Sequence, residues 1–135
     1  MNQTHNTNFY EMLAAACRKN GKGTAVFNDK EKTTYHALKQ EVDAVAAYLQ
    51  NMGVKFGDKV ALAVSNSPEF ISAYFAVSAI GAVAVPMNTF LKNNEYAYIL
   101  NDCKARFMFA SAGLQKELKG LKKQTRVEKI IWIGE

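Results

Sequence analysis

The chain has 135 residues, 49% of them hydrophobic, a length that suggests one domain over 1–135 with enough core to fold without staples and an apolar content that excludes general disorder. Two cysteines, Cys17 and Cys103, form no CxxC pair, and with only His5 and His36 nothing has metal-ligand spacing. Reduced thiols in a cytoplasmic protein are expected, and the net charge of +5 is concentrated late in the chain.

The polar opening "MNQTHNTNFY" lacks the charged-then-apolar order of a signal peptide. Phe9 to Arg18 places Phe9, Met12, Leu13, Ala16 and Cys17 on helical spacing, and Asn20-Gly21 closes that helix. "TAVFN" and Lys32 to Thr34 flank a turn and predict a small hairpin. Tyr35 to Met52 carries one apolar stripe, a core face or a short coiled-coil seam, with Thr34 as N-cap and Gly53 as stop.

A repeating unit follows. "KVALAV" is a strand, Ser67-Pro68 starts a helix running to Ile80, and "AVAVPM" is the next strand. Asn93 caps a helix over residues 94–102, "ARFMFA" is a third strand, Ser111 caps a helix carrying Leu114, Leu118 and Leu121, and "KIIWI" is a fourth strand. Strands alternating with helices predict an α/β fold: a mostly parallel sheet with helices on both faces and right-handed crossovers, plus the N-terminal hairpin. The expected spatial order of the four strands is 2-1-3-4, which puts a switch point between the first and third, flanked by Ser65 to Pro68 and Ala110 to Gly113. Phe70 to Met87 is a run of 18 uncharged residues, near the lower limit for a membrane span. Its change of character at Gly81 argues for helix then strand, hence no transmembrane segment.

Eight basic residues lie between Lys104 and Lys129, opposed only by Glu117 and Glu128. Such a run is a solvated helix face or a surface for anions. No aromatic residue lies between Phe109 and Trp132 to stack on a base, so nucleic acid is not an expected partner. Catalytic chemistry is sparse. GxGxxG, GxxxxGK[ST] and GxSxG are all absent. His36 has no nucleophile or carboxylate beside it in sequence, Glu41 and Asp43 point apart on their helix, and Asp102 is at most a partner for Lys104. No catalytic residue and no metal ligand is assigned.

The order of short motifs does point somewhere. "TTYHAL", "GVKFGDKVAL", "NSPEF", "GAVAVPMN", "YILNDCKARFMF" and "IIWIGE" follow one another from about Phe27 to Glu135. Together they resemble the beginning of the adenylate-forming (AMP-binding) acyl-CoA synthetases, closest to fatty-acid–CoA ligases. The resemblance implies the first part of a large N-terminal domain, within a parent that joins a small-molecule carboxylate to ATP, with Mg2+, and passes the acyl group to coenzyme A. It also implies a cytoplasmic or membrane-peripheral parent. The TSGTTGxPK-like and YGxTE-like runs, the ribose-binding aspartate and the adenylating lysine are absent from these residues, so the chain is expected to be an inactive fragment with no cofactor bound.

In the family the loop after the "VP" strand lies toward the coenzyme A nucleotide, which makes Asn88, Phe90 and Lys92 the candidate cofactor-binding residues. Phe90 stands where some relatives carry arginine, so a guanidinium clamp is missing and Lys92 is left as a point charge. Ala37 departs from a glutamate common in the family. Two alternatives stay open: a piece of an acyl-AMP ligase or peptide-synthetase adenylation domain, or a free-standing α/β binding module. A fragment is expected to self-associate through an exposed apolar face, for which the helix "FISAYFAVSAI" is the motive.

Overall fold

The computed structural model describes residues 8–29 and 31–134. The opening heptapeptide, on which most of the signal-peptide reading rests, lies outside the described residues, as do position 30 in the hairpin turn and Glu135.

Helix α1 (Phe9–Asn20) leads into a hairpin of β1 (Thr24–Asn28) and β2 (Glu31–Thr34), then helix α2 (Tyr35–Asn51). Asn8 Oδ1 accepts the Glu11 amide at 2.9 Å, and Thr34 Oγ1 accepts the Ala37 amide at 3.1 Å, so each helix begins on a side-chain oxygen. The stop at Gly53 uses the left-handed backbone (φ +92°) that the absence of Cβ permits. The stop at Gly21 does not: its backbone stays right-handed (φ −57°), and the chain turns by handing the Gly21 carbonyl to the His36 amide.

The repeating unit consists of β3 (Lys59–Ala63), α3 (Pro68–Ala79), β4 (Val83–Pro86), α4 (Asn93–Cys103), β5 (Phe107–Ser111), a 3-10 turn (Ala112–Leu114), α5 (Leu121–Gln124) and β6 (Lys129–Ile133). All four strands are parallel in the order β4-β3-β5-β6, which is the expected 2-1-3-4. The 18-residue apolar run breaks at Gly81 (φ +71°) into α3 and β4, and among the described residues no helix is long and apolar enough to cross a membrane.

Strand alternation sends neighbouring side chains to two cores. Val60, Leu62, Val64, Phe107 and Phe109 meet α1, α2 and α3 on one face. Ala61, Ala63, Met108 and Ala110 meet α4 and the crossover to β6 on the other. Helix α3 is apolar all round because it is sandwiched: Ala76 and Val77 are buried in the core, while Tyr74 and Phe75 receive Phe9 of α1 edge-on at 5.6 and 6.4 Å. The helix that motivated self-association is therefore partly covered within the chain: Ser72, Ala73, Ala76 and Val77 are buried, and Phe70, Ile71, Tyr74 and Phe75 remain half-buried. Apolar surface is open in a groove where Val45 and Tyr48 of α2, Ala73 of α3 and Ile131 and Ile133 of β6 converge.

Two local expectations are corrected. Lys92, not Asn93, occupies the N-cap position of α4, and the Glu95 carboxylate accepts the Lys92 amide at 2.7 Å. Asn93 is drawn away because its amide group donates to the Glu117 and Lys119 carbonyls at 2.7 and 3.2 Å. The continuous helix expected after Ser111 is broken into the 3-10 turn and the four-residue α5, with Gly120 at φ +78° between them. Leu118 and Leu121 still reach the core, so the apolar positions are those of the sequence pattern and only the backbone between them differs.

Candidate ligand site at the carboxyl ends of the strands

The carboxyl ends of β3, β4 and β5 come together at the strand-order reversal, the place where open α/β sheets put ligands. The Ser65 amide donates to Ser111 Oγ at 3.0 Å, with the two hydroxyls 3.4 Å apart. This contact ties the loop after β3 to the end of β5, and it explains why Ser111 does not cap the turn behind it. The loops expected to flank the switch point therefore do so.

Between the loops after β3 and β4 runs a cleft of about 380 Å³ lined by Val64, Ser65, Asn66, Met87, Asn88 and Thr89, with Phe90 at its edge. Pro86 ends β4, and the Met87 amide donates to the Leu62 carbonyl at 3.0 Å, which carries the chain out beside β3. The loop is then held by its own polar groups. Asn88 Oδ1 accepts the Phe90 amide at 2.9 Å in an Asx turn, and the Asn88 carbonyl accepts the Tyr96 hydroxyl at 2.8 Å. Tyr96 is fully buried, and burial, then the charges of Glu117 and Glu95, hold its phenol above the usual value.

Of the three candidate residues, Asn88 and Phe90 line the cleft and Lys92 does not. The Phe90 ring is 88% exposed. Lys92 points outward, its Nζ 4.0 Å from Glu117 Oε2, and Glu117 also accepts the Asn93 amide at 2.7 Å. Ser65 and Asn66, in the loop expected to flank the switch point, and Thr89, between two of the candidates, also line the cleft, although none of the three was singled out as a cofactor-binding residue. The expected strand order is the signal that brings Ser65 and Asn66 here, since they follow the central strand at its carboxyl end.

The cleft offers hydroxyl and amide groups and no charged side chain. It can hydrogen-bond a neutral polar group beside the flat face of Phe90. It does not fit a triphosphate or Mg2+, which call for cations and carboxylates respectively. Among the described residues no group of three or more His, Cys, Asp or Glu side chains is placed to hold a metal ion.

A doubly wound α/β unit with a polar cleft at its switch point is the architecture in which open sheets carry ligand sites. The chain belongs to the AMP-binding enzyme family, whose pattern it matches over residues 13–134. It is 40% identical over 79 residues to crotonobetaine/carnitine–CoA ligase of Escherichia coli O139:H28, a match covering 58% of this chain and 15% of that protein. Its fold superposes on the anthranilate CoA ligase AuaEII, solved in complex with anthranoyl-AMP, with a TM-score of 0.90 at 31% identity, over 96% of this chain and 25% of that one. It superposes on a Mycobacterium tuberculosis fatty acyl CoA synthetase with a TM-score of 0.88 at 26% identity, over 93% of this chain and 26% of that one. The chain thus spans a minor part of the length of each of these proteins.

Proposed function

We propose that these residues form the N-terminal scaffold of an ATP-dependent carboxylate–CoA ligase, a parent that makes an acyl-adenylate with Mg2+ and transfers the acyl group to coenzyme A. The observation that carries this reading is the fold match to AuaEII across 96% of the chain, together with curated relatives named as CoA ligases. A fatty acid is the proposed substrate class, on the likeness to the fatty acyl CoA synthetase. The piece alone is proposed to be inactive, since the site described above carries no group able to stabilise a transferring phosphoryl charge. Asn88, Phe90 and Lys92 are proposed to lie toward coenzyme A, with the exposed Phe90 ring as a stacking face and Lys92 as a nearby cation. The isolated chain is proposed to self-associate through the groove between α2, α3 and β6.

The test is a chimaera. Residues 13–134 replace the matching segment of the Mycobacterium tuberculosis fatty acyl CoA synthetase, and acyl-CoA formation is followed with a fatty acid, ATP and coenzyme A. The chimaera should retain ligase activity, and the 135-residue chain alone should show no ATP–pyrophosphate exchange. A folded chimaera that forms acyl-adenylate and fails to load coenzyme A would point to a carrier-protein acceptor. Exchange by the short chain alone would overturn the scaffold reading.

A further inference from the structure

Tyr96 lies near the start of α4, eight residues past Asn88, and is fully buried. A buried phenol needs a partner for its hydroxyl. Here the partner is the Asn88 carbonyl, 2.8 Å away. Burial, then the charges of Glu117 and Glu95, keep the phenol protonated and therefore a donor through the neutral range. Asn88 also gives its Oδ1 to the Phe90 amide at 2.9 Å. Both acceptor groups of Asn88 are thus engaged within the chain, and its side-chain N–H groups are what it has left for a ligand.

The backbone that carries Tyr96 is fixed in its turn. Its amide donates to the Lys92 carbonyl at 3.0 Å. Asn93 is tied to the crossover from β5 to β6 on every side. Its amide donates to Glu117 Oε1 at 2.7 Å, its Nδ2 to the Glu117 and Lys119 carbonyls, and its Oδ1 accepts Gln124 Nε2 at 3.1 Å. At the other end of the loop, Met87 is held to β3 through the Leu62 carbonyl at 3.0 Å. Residues 88–91 therefore span two fixed points. Among the described residues, the Tyr96 hydroxyl gives that span its only hydrogen bond from outside the loop.

We infer that Tyr96 is the positioning residue of the ligand loop: from the core side it holds Asn88, and through the Asx turn Phe90, in the conformation that meets coenzyme A. The identity of the ligand rests on the ligase reading, whereas the hold on the loop does not. Without the hydroxyl the loop samples other turns, and binding must first restore the competent one. A ligand's apparent affinity falls in proportion to the fraction of competent molecules. The hydroxyl is spent on the Asn88 carbonyl and Tyr96 does not line the cleft, so the effect belongs to binding and not to the chemical step.

Tyr96→Phe tests the assignment, because the ring still fills the core and water can reach the freed carbonyl of the exposed Asn88. In the 135-residue chain, NMR-detected exchange of the Phe90 amide should quicken about fivefold, the scale of one hydrogen bond. In the chimaera, KM for coenzyme A should rise about three- to tenfold, with kcat and the KM for ATP held. Thr34→Ala is the control: it removes a helix cap, a loss of similar size, at a residue that does not line the cleft. It should leave KM for coenzyme A within about twofold of the unaltered chimaera, since a cap lost there does not reach the loop. Equal rises from both variants would reduce the effect to stability and overturn the assignment. So would a Tyr96→Phe chimaera with KM unchanged, or one that loses kcat instead. An unaltered chimaera that forms no acyl-CoA would defeat the ligase reading. The Phe90 amide then decides alone: faster exchange upholds the hold by Tyr96, and an unchanged rate overturns it.

Discussion

Ser65 and Ser111 stand 46 positions apart in the chain, and the Ser65 amide donates to Ser111 Oγ at 3.0 Å across the carboxyl ends of β3 and β5. That bond anchors one wall of the candidate cleft to the neighbouring strand. Ser111→Ala leaves the amide to water at a partly exposed site, so urea denaturation should show a loss of about 0.5–1.5 kcal/mol. The Ser65 amide should also exchange with solvent faster. An unchanged midpoint and unchanged exchange would mean the contact does not persist in solution.

The placement of Phe90 and Lys92 outside the depth of the cleft makes a separable prediction for the chimaera. Lys92→Ala and Phe90→Ala should each raise KM for coenzyme A about two- to fivefold, the scale of an exposed contact, with kcat held. Loss of kcat with KM unchanged would place them in the chemistry, contrary to the proposal.

At the amino ends of the strands, Arg106 joins β5 to β6 through Glu128 and reaches Asp58 before β3 at 3.6 Å. The hydrogen bonds from Arg106, then its charge, hold the Glu128 carboxyl below its ordinary value of 4.5. A carboxyl depressed in the fold stabilises it above pH 4.5 and ceases to as pH falls through the folded value. Glu128→Gln should flatten the acid limb of a stability-versus-pH curve over that window. Some slope should remain, because Asp43 is also depressed: burial is its largest single influence and raises it, and the combined hydrogen bonds from Lys39 and Tyr10 outweigh that. A variant curve parallel to the parent's would show that Glu128 is not held.

Helix α4 ends on Lys104 in the left-handed conformation (φ 57°), its amide donating to the Leu100 carbonyl. Glycine meets no Cβ clash there, so Lys104→Gly should stabilise the chain by about 1 kcal/mol in thermal or urea unfolding. Destabilisation by that substitution would mean the lysine side chain contributes more than its backbone strain costs.

The groove between α2, α3 and β6 predicts concentration-dependent association of the isolated chain. Sedimentation velocity should show it, and Tyr48→Glu, at a side chain 46% exposed, should abolish it without unfolding the protein. A strict monomer at high concentration would count against the proposal.

Much of this architecture could be read in the residues because the signals were local and redundant. Thr34, Ser67 and Pro68 mark helix starts with oxygens and a fixed φ, and the all-apolar strands announce a sheet covered on both faces. The misreadings share one cause. Asn93 and Ser111 each carry a side chain suited to capping, and each is claimed by a partner far along the chain: Glu117 and Lys119 for one, Ser65 for the other. Propensity describes what a side chain can do for its own helix and is silent about a distant competitor. The apolar girth of α3 has a tertiary origin of the same kind, since α1 and α2 pack against it and leave its outer residues half-buried. At the cleft, Asn88 and Phe90 were found through a resemblance, whereas Ser65 and Asn66 needed the order of strands.

The division of the strands between two cores sets different steric rules for adjacent codons. Val60 and Leu62 of β3, and Val64 just beyond it, face the three-helix side, and the intervening Ala61 and Ala63 face α4. On that side the small strand residues Ala61, Ala63 and Ala110 are seated beneath large ones, among them Tyr96, Leu100, Leu118 and Leu121, and all three alanines are fully buried, so an added carbon has to displace a neighbour. A library randomising residues 60–64 should accordingly recover bulky residues at even numbers and almost nothing larger than alanine at odd ones.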